Sequence, residues 1–202
     1  MAAIESPAPG PSVLFEHDDV VEPHHQFPSI NFRGHAWDLR HLDAFAIRMD
    51  PKLGFEIDVI VLFSCHCFTH QVKHDERAPV EIPECEIYED GNERRVLSKE
   101  RYELSRRFLP GLVKEFGQRH IRFGRQYPQN FFIAEGVDVN STPGMYVIFF
   151  ELLRDKKRKQ RVLLHIQSAY WLQKLTKRLE SARKIRFATL LKATYNGTII
   201  HG

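Results

Sequence analysis

Residues 161–171 read RVLLHIQSAYW, and residues 145–153 read MYVIFFELL. Every residue of the second stretch except Glu151 is apolar or aromatic, which predicts a strand in the middle of a sheet. In the first, four apolar residues around His165 lead into Gln167, Ser168 and Tyr170, so a core strand ends in hydroxyl and amide groups. The polar run DKKRKQ, 155–160, joins the two as a hairpin. Strict alternation places Ser168 and Tyr170 on one face, and His165, Gln167 and Ala169 on the other.

The segments on either side extend this pattern. NFFIAEGV, 130–137, reads as a third strand. SKERYELSRRFLPGLVKEFG, 98–117, reads as a helix, with Tyr102, Leu109, Leu112, Val113 and Phe116 on one side, Ser98 as N-cap and Gly117 as the stop. Pro110 is expected to kink or divide it. LTKRLESARKIRFATLLKATYNGT, 175–198, returns to helical spacing, ended by Asn196-Gly197, with a last short strand at TII, 198–200. In the first half, FEIDVIVLF, 55–63, alternates and then becomes continuously apolar, as a strand does on entering a core. INFRG, 30–34, suggests another strand, and ECEIYEDGNERRVLS, 84–98, a hairpin around Asp90-Gly91. The expected fold is α+β: a mostly antiparallel sheet with flanking helices and an N-terminal β-rich extension.

The 202 residues are 43% hydrophobic and 27% charged, the composition of a globular chain. Residues 1–90 carry 6 Lys/Arg against 17 Asp/Glu, a net −11; residues 91–202 carry 23 against 9, a net +14. Either the halves attract each other within one fold, or the basic half meets a polyanion, with nucleic acid the leading choice. The expected organisation is a flexible Pro-rich tail, 1–27, an acidic β-rich region, 28–97, and a basic α+β region, 98–202. The apolar runs are too short to cross a bilayer, no secretory leader is evident, and three cysteines without framework spacing fit a reducing compartment, so a cytoplasmic protein is expected. The chain lacks a Gly-rich phosphate loop, a dinucleotide fingerprint and a Gly-X-Ser-X-Gly elbow.

Metal-independent cleavage of RNA needs a base for the ribose 2′-hydroxyl, cations for the charge developing on phosphorus, and an acid for the leaving oxygen. His120, Arg122, Ser168 and Tyr170 are the candidate catalytic set, with His165 and Arg125 of similar type nearby. Ser168 bonded to backbone and Tyr170 packed at a sheet edge is the structural alternative. Arg106, Arg107 and Arg125, with Lys156, Lys157, Arg158, Lys159 and Arg161 of the hairpin run, are candidate phosphate contacts; a solvated loop tip is the plainer reading of that run. Tyr127, Phe131 and Phe132 are candidate base-stacking side chains. In SCHCFTHQVKHD, 64–75, Cys67, His70 and His74 together with Cys85 are the best zinc set, though the spacing fits buried core cysteines as well. Alternatively, His66 or His70 joins an active site shared between the halves.

The order of LSRRFLPGLVKEF, NFFIAE, MYVIFFELL and RVLLHIQSAYW resembles the barnase/RelE-like ribonuclease fold, in particular its phage-associated branches, over about residues 99–200. There a late strand can end in a Ser/Thr-X-Tyr element, which Ser168-Ala169-Tyr170 resembles. The resemblance implies metal-independent RNA cleavage, often as a bacterial or prophage toxin, with RNA as substrate and an antitoxin or other protein as partner. His120 is the first choice for the base. The alternatives are a non-enzymatic accessory or immunity protein that binds nucleic acid or protein, and a small zinc-stabilised interaction protein.

Overall fold

A computed structural model describes residues 12–14, 27–91, 93–125 and 129–201. The first half contains β1 (Ser12–Leu14), β2 (Ile30–Phe32), β3 (His35–Trp37), β4 (Phe45–Met49), β5 (Ile57–Phe63), β6 (Thr69–Gln71), β7 (Ile87–Asp90) and β8 (Glu93–Leu97). The second contains α1 (Lys99–Lys114), β9 (His120–Arg125), β10 (Asn130–Val139), β11 (Thr142–Arg154), β12 (Arg161–Leu172), α2 (Lys177–Glu180), β13 (Lys184–Arg186) and α3 (Phe187–Asn196).

The apolar hairpin β11–β12 lies inside an eight-stranded sheet of order β1-β4-β5-β12-β11-β10-β9-β13. Neighbours are antiparallel except β5 and β12, which run parallel with Val59 opposite Val162. The fold is α+β with a mostly antiparallel sheet, as the patterning requires. The acidic half is not set apart from that sheet: β1, β4 and β5 form one end of it. Of the expected tail, Ser12–Leu14 and Phe27 lie among the described residues: the backbone of Ser12–Leu14 pairs with Ala46–Arg48, and the Phe27 ring meets Phe68 edge-on at 5.1 Å. A second sheet, β6-β8-β7, and the hairpin β2–β3 complete the first half.

The core lies on the sheet face covered by α1 and α3. Phe150 of β11 is fully buried there, with Phe116, Phe131 and Phe187 at ring-centroid distances of 5.0, 5.9 and 6.5 Å. Tyr102, Leu109, Leu112, Val113 and Phe116, the predicted stripe of the first helix, are all buried. Trp37 of β3 stacks on Tyr102 at 4.4 Å and ties the N-terminal hairpin to α1. Ser98 caps that helix, its Oγ accepting the Arg101 N–H.

Local departures from the sequence reading have local causes. The first helix runs through Pro110 as one element, because packing of its apolar stripe outweighs one missing hydrogen bond. The expected long helix of 175–198 is interrupted: Lys184–Arg186 pairs with β9 as an edge strand between the short α2 and α3. Asn196-Gly197 ends α3 as expected, with Gly197 at φ 70°. Thr198–Ile200 adds no strand; the Ile200 carbonyl instead accepts from the Gln129 side chain at 2.5 Å.

Candidate active site

The hydroxyl-bearing end of β12 lies beyond the last residue of β5, where the parallel pairing stops at Phe63 and Ile166. There the chain of the first half turns away into Ser64–Phe68, and Ser64 fastens it to β12: its N–H donates to the Ile166 carbonyl at 3.0 Å and its Oγ to the Gln167 carbonyl at 2.7 Å. A cavity of about 900 Å³ opens at this junction. Its walls include Ser64, Cys65, His66 and Asp90 from the acidic half, and Asn130, Phe149, His165, Gln167, Ser168 and Tyr170 from the basic half.

A β-bulge sets which side chains reach it. Phe150 pairs with Ile166 but Phe149 pairs with Ser168, so Gln167 is an extra residue in β12. His165, Ser168 and Tyr170 stand opposite Glu151, Phe149 and Val147, alternate residues of β11 that share one face. The expectation that His165 faces away from Ser168 and Tyr170 is therefore overturned. The inserted residue shifts the alternation, and bulges re-aim side chains in this way.

Two histidines on the cavity wall each hold a carboxylate. His165 Nδ1 lies 3.0 Å from Glu151 Oε1, which leaves Nε2 as its unengaged ring nitrogen. His66 Nε2 lies 3.2 Å from Glu93 Oε2, which leaves Nδ1. Burial, followed by the charge of Arg95, pushes His66 below the ordinary imidazole value of 6.5, against the raising effect of Glu93. His66 is therefore neutral at pH 7. The Cys65 thiol donates to Asp90 at 3.1 Å, and burial pushes it up to about 12, so it is an inert wall group and no thiolate nucleophile.

Behind the wall lies Arg101. It donates to the carbonyls of His66 at 3.0 Å and Thr69 at 2.9 Å, and its guanidinium sits 4.8 Å over the Tyr170 ring. One cation thus ties the 66–69 backbone to the end of β12. Burial raises the Tyr170 phenol above its usual range, with Arg101 opposing, so the phenol keeps its proton.

The other predicted residues lie elsewhere. Arg122 and Ser168 occupy one cross-strand row, which runs Lys184–Arg122–Phe132–Phe149–Ser168. Three strand spacings separate them, about 14 Å, too far for both to touch one phosphate. Arg122 is spent on the Glu180 carbonyl at 2.7 Å, and the exposed His120 pairs with Arg186 across the edge strand. Of the four predicted residues, Ser168 and Tyr170 line the cavity, beside His165 and His66, whereas His120 and Arg122 do not. The hairpin tip carrying Lys156, Lys157, Arg158 and Lys159 lies at the opposite end of β12, roughly 20 Å from Ser168 at about 3.3 Å per residue. Asp155 organises it, accepting the Lys157 N–H at 2.7 Å and pairing with Arg161. Arg106 and Arg107 are exposed on α1, and Arg125 ends β9 opposite Asn130. Phe131 and Phe132 are buried and take no bases; Tyr127 lies outside the described residues.

The zinc set does not assemble. Cys67 is fully buried, Cys85 and His74 are exposed, and His70 bonds Asp75 at 3.0 Å. Among the described residues no group of three or more His, Cys, Asp or Glu could hold a metal ion.

The His165–Glu151 pair was countable in the sequence, since the two face each other across a hairpin joined by residues 155–160. Nothing local marks Glu93 or Asp90 as neighbours of His66 and Cys65; the side sheet β6-β8-β7 brings them in. No curated protein and no solved structure matches the chain. A family model does match, over residues 29–195. That span contains both histidine–carboxylate pairs, Ser168 and Tyr170, and it runs through most of the sheet: the chain belongs to the YjaZ family.

Proposed function

We propose that this chain is an RNA-acting protein, a metal-independent ribonuclease whose base is His66 and whose acid is His165. The observation that carries the reading is the cavity itself. Two carboxylate-held imidazoles, one from each half of the chain, share it with the hydroxyls of Ser168 and Tyr170. Two imidazoles can serve as base and acid in phosphodiester transfer within RNA, and hydroxyl donors can take the place of cations in stabilising charge on the phosphate. The resemblance of the helix and strand order to barnase/RelE-like ribonucleases supports the same chemistry.

In this reading neutral His66 takes the proton of a ribose 2′-hydroxyl. The 2′-oxygen bonds to the adjacent phosphorus, and the bond from phosphorus to the 5′-oxygen breaks. His165 supplies the proton to that leaving oxygen, and the products are a 2′,3′-cyclic phosphate and a 5′-hydroxyl. Glu151 fixes the orientation of the His165 ring through Nδ1. Ser168 and the protonated Tyr170 donate to the phosphate oxygens as charge builds on them. Arg101 is a positioning residue, acting through Tyr170 and the 66–69 backbone.

The test is to incubate the purified chain with a labelled oligoribonucleotide in excess chelator. Cleavage ending in a cyclic phosphate is expected, and His66→Ala and His165→Ala should each lower its rate about 10²- to 10⁴-fold. The acid limb of the pH profile should lie below pH 6.5, because His66 stays neutral there. Salt-dependent binding with no cutting would instead favour the accessory-protein reading.

A further inference from the structure

A cluster of exposed cations lies outside both the cavity and the hairpin tip. It lies at the β13 edge of the sheet and in the turn that leads to it. Lys174, Lys177, Arg178, Arg183, Lys184 and Arg186 are all exposed, and one carboxylate, Glu180, stands among them. Among the described residues none of the six forms an ion pair. Two of them are held by main-chain oxygens: Arg178 donates to the Gly124 carbonyl at 3.0 Å and Arg183 to the His201 carbonyl at 2.6 Å. Carbonyls orient a guanidinium without cancelling its charge, so the full positive potential remains at the surface.

The geometry also gives the array a direction. Lys184 and Arg186, two residues apart on a strand, point to one side about 7 Å from each other. Their cross-strand partners are Arg122 and His120. The result is a ladder of basic groups along the sheet edge, with Lys184 and Arg122 in the row that ends at Ser168 in the cavity. A lipid surface would call for apolar anchors beside the cations, yet α2 is a single turn and its leucine is partly covered.

We propose that the β9–β13 edge is a phosphate-binding track for single-stranded nucleic acid, separate from the cleavage site. The identity of the polymer rests on the RNA reading above; the track itself does not require that the chain cut anything. Each cation releases bound counterions from the strand, so affinity falls with salt in proportion to the number of phosphates engaged.

The experiment measures fluorescence anisotropy of a labelled 2′-deoxy oligonucleotide, which lacks the attacking hydroxyl, over a range of salt with the full chain. Lys184→Glu combined with Arg186→Glu should weaken binding about tenfold or more and lower the slope of log K against log salt by about 1.4, which is about 0.7 per cation. Lys184→Gln with Arg186→Gln serves if the reversed charges disturb the edge strand, and thermal melting checks the fold. Lys156→Glu with Lys157→Glu, at the hairpin tip, should change both quantities less. The proposal is overturned if the edge variants bind as the wild type does, or if the tip variant alone loses binding. It is equally overturned if the wild type ignores the oligonucleotide but binds phosphatidylserine vesicles. Wild-type binding without RNA cleavage would strike the catalytic reading alone and leave the track standing; cleavage by edge variants of unaltered affinity would do the reverse.

Discussion

Arginines of the first half are held by carboxylates. Arg33 and Arg77 share Glu86, Arg77 also holds Asp75, Arg48 holds Asp58, and Arg94 and Arg95 hold Glu84 and Glu93. At the β13 edge the same side chain behaves differently. Arg122, Arg178 and Arg183 bond to main-chain oxygens, and the neighbouring lysines are exposed. All the pairs just named lie within residues 33–95, and Arg94–Glu84 alone among them joins residues 91–202 to residues 1–90. The cations of the β13 edge take no part in them. In the first half charge is an internal fastening; at the far edge it faces outward.

If that contrast is right, removing a carboxylate from the first half should cost far more than removing cations from the edge. The largest effect is expected for Glu86→Ala. Glu86 is 3% exposed and accepts from two arginines, so its loss removes the hydrogen bonds of both and empties a packed position; about 2 kcal/mol should disappear from the stability measured by denaturant unfolding. A cost under about 1 kcal/mol would break the comparison.

Acid should act next. The hydrogen bond from Arg33 holds the Glu86 carboxyl below its ordinary 4.5, and Arg77 holds Asp75 well below 3.8. A depressed carboxylate contributes fully above its unfolded value, and that contribution is lost as pH falls toward the folded one. As pH falls from about 5 toward 2, amide-exchange protection factors, corrected for the intrinsic pH dependence of exchange, should drop more in residues 75–86 than in 184–186, where no such carboxylate is present. An equal drop would erase the distinction.

A smaller kinetic effect is expected from Glu93→Gln. Glu93 raises His66 against the dominant effect of burial. Without it the acid limb of the proposed RNA cleavage should move further down in pH, with little change in the rate on the plateau. The smallest effect belongs to Lys184→Ala with Arg186→Ala, which should alter stability by no more than about 0.5 kcal/mol, read from the same unfolding curves.

What the sequence disclosed follows from what is local. The continuous apolar run of β11 and the alternation in β5 identify core strands, because each depends only on side chains within that strand. The stripe of α1 was legible for the same reason, even across Pro110. The site was half legible. Ser168 and Tyr170 were visible as hydroxyls ending an apolar run, but the bulge at Gln167 leaves no mark in composition, and it decides that His165 joins them. His120 and Arg122 suit the chemistry by residue type and lie in the same half of the sequence, yet strand order sets them three strands away. His66 enters the cavity through a parallel pairing that periodicity cannot reveal.

That pairing has a consequence for synthesis. Val59 meets Val162, a partner 103 positions later in the chain. At about 5–20 residues per second a ribosome needs roughly 5–20 seconds to deliver it. For that interval the hairpin β4–β5 waits with one hydrogen-bonding edge unfilled, the condition under which nascent strands aggregate or recruit chaperones. The slow step in acquiring this fold should be the late docking of residues 161–166 onto that waiting edge, since non-local closures of this kind limit folding rates.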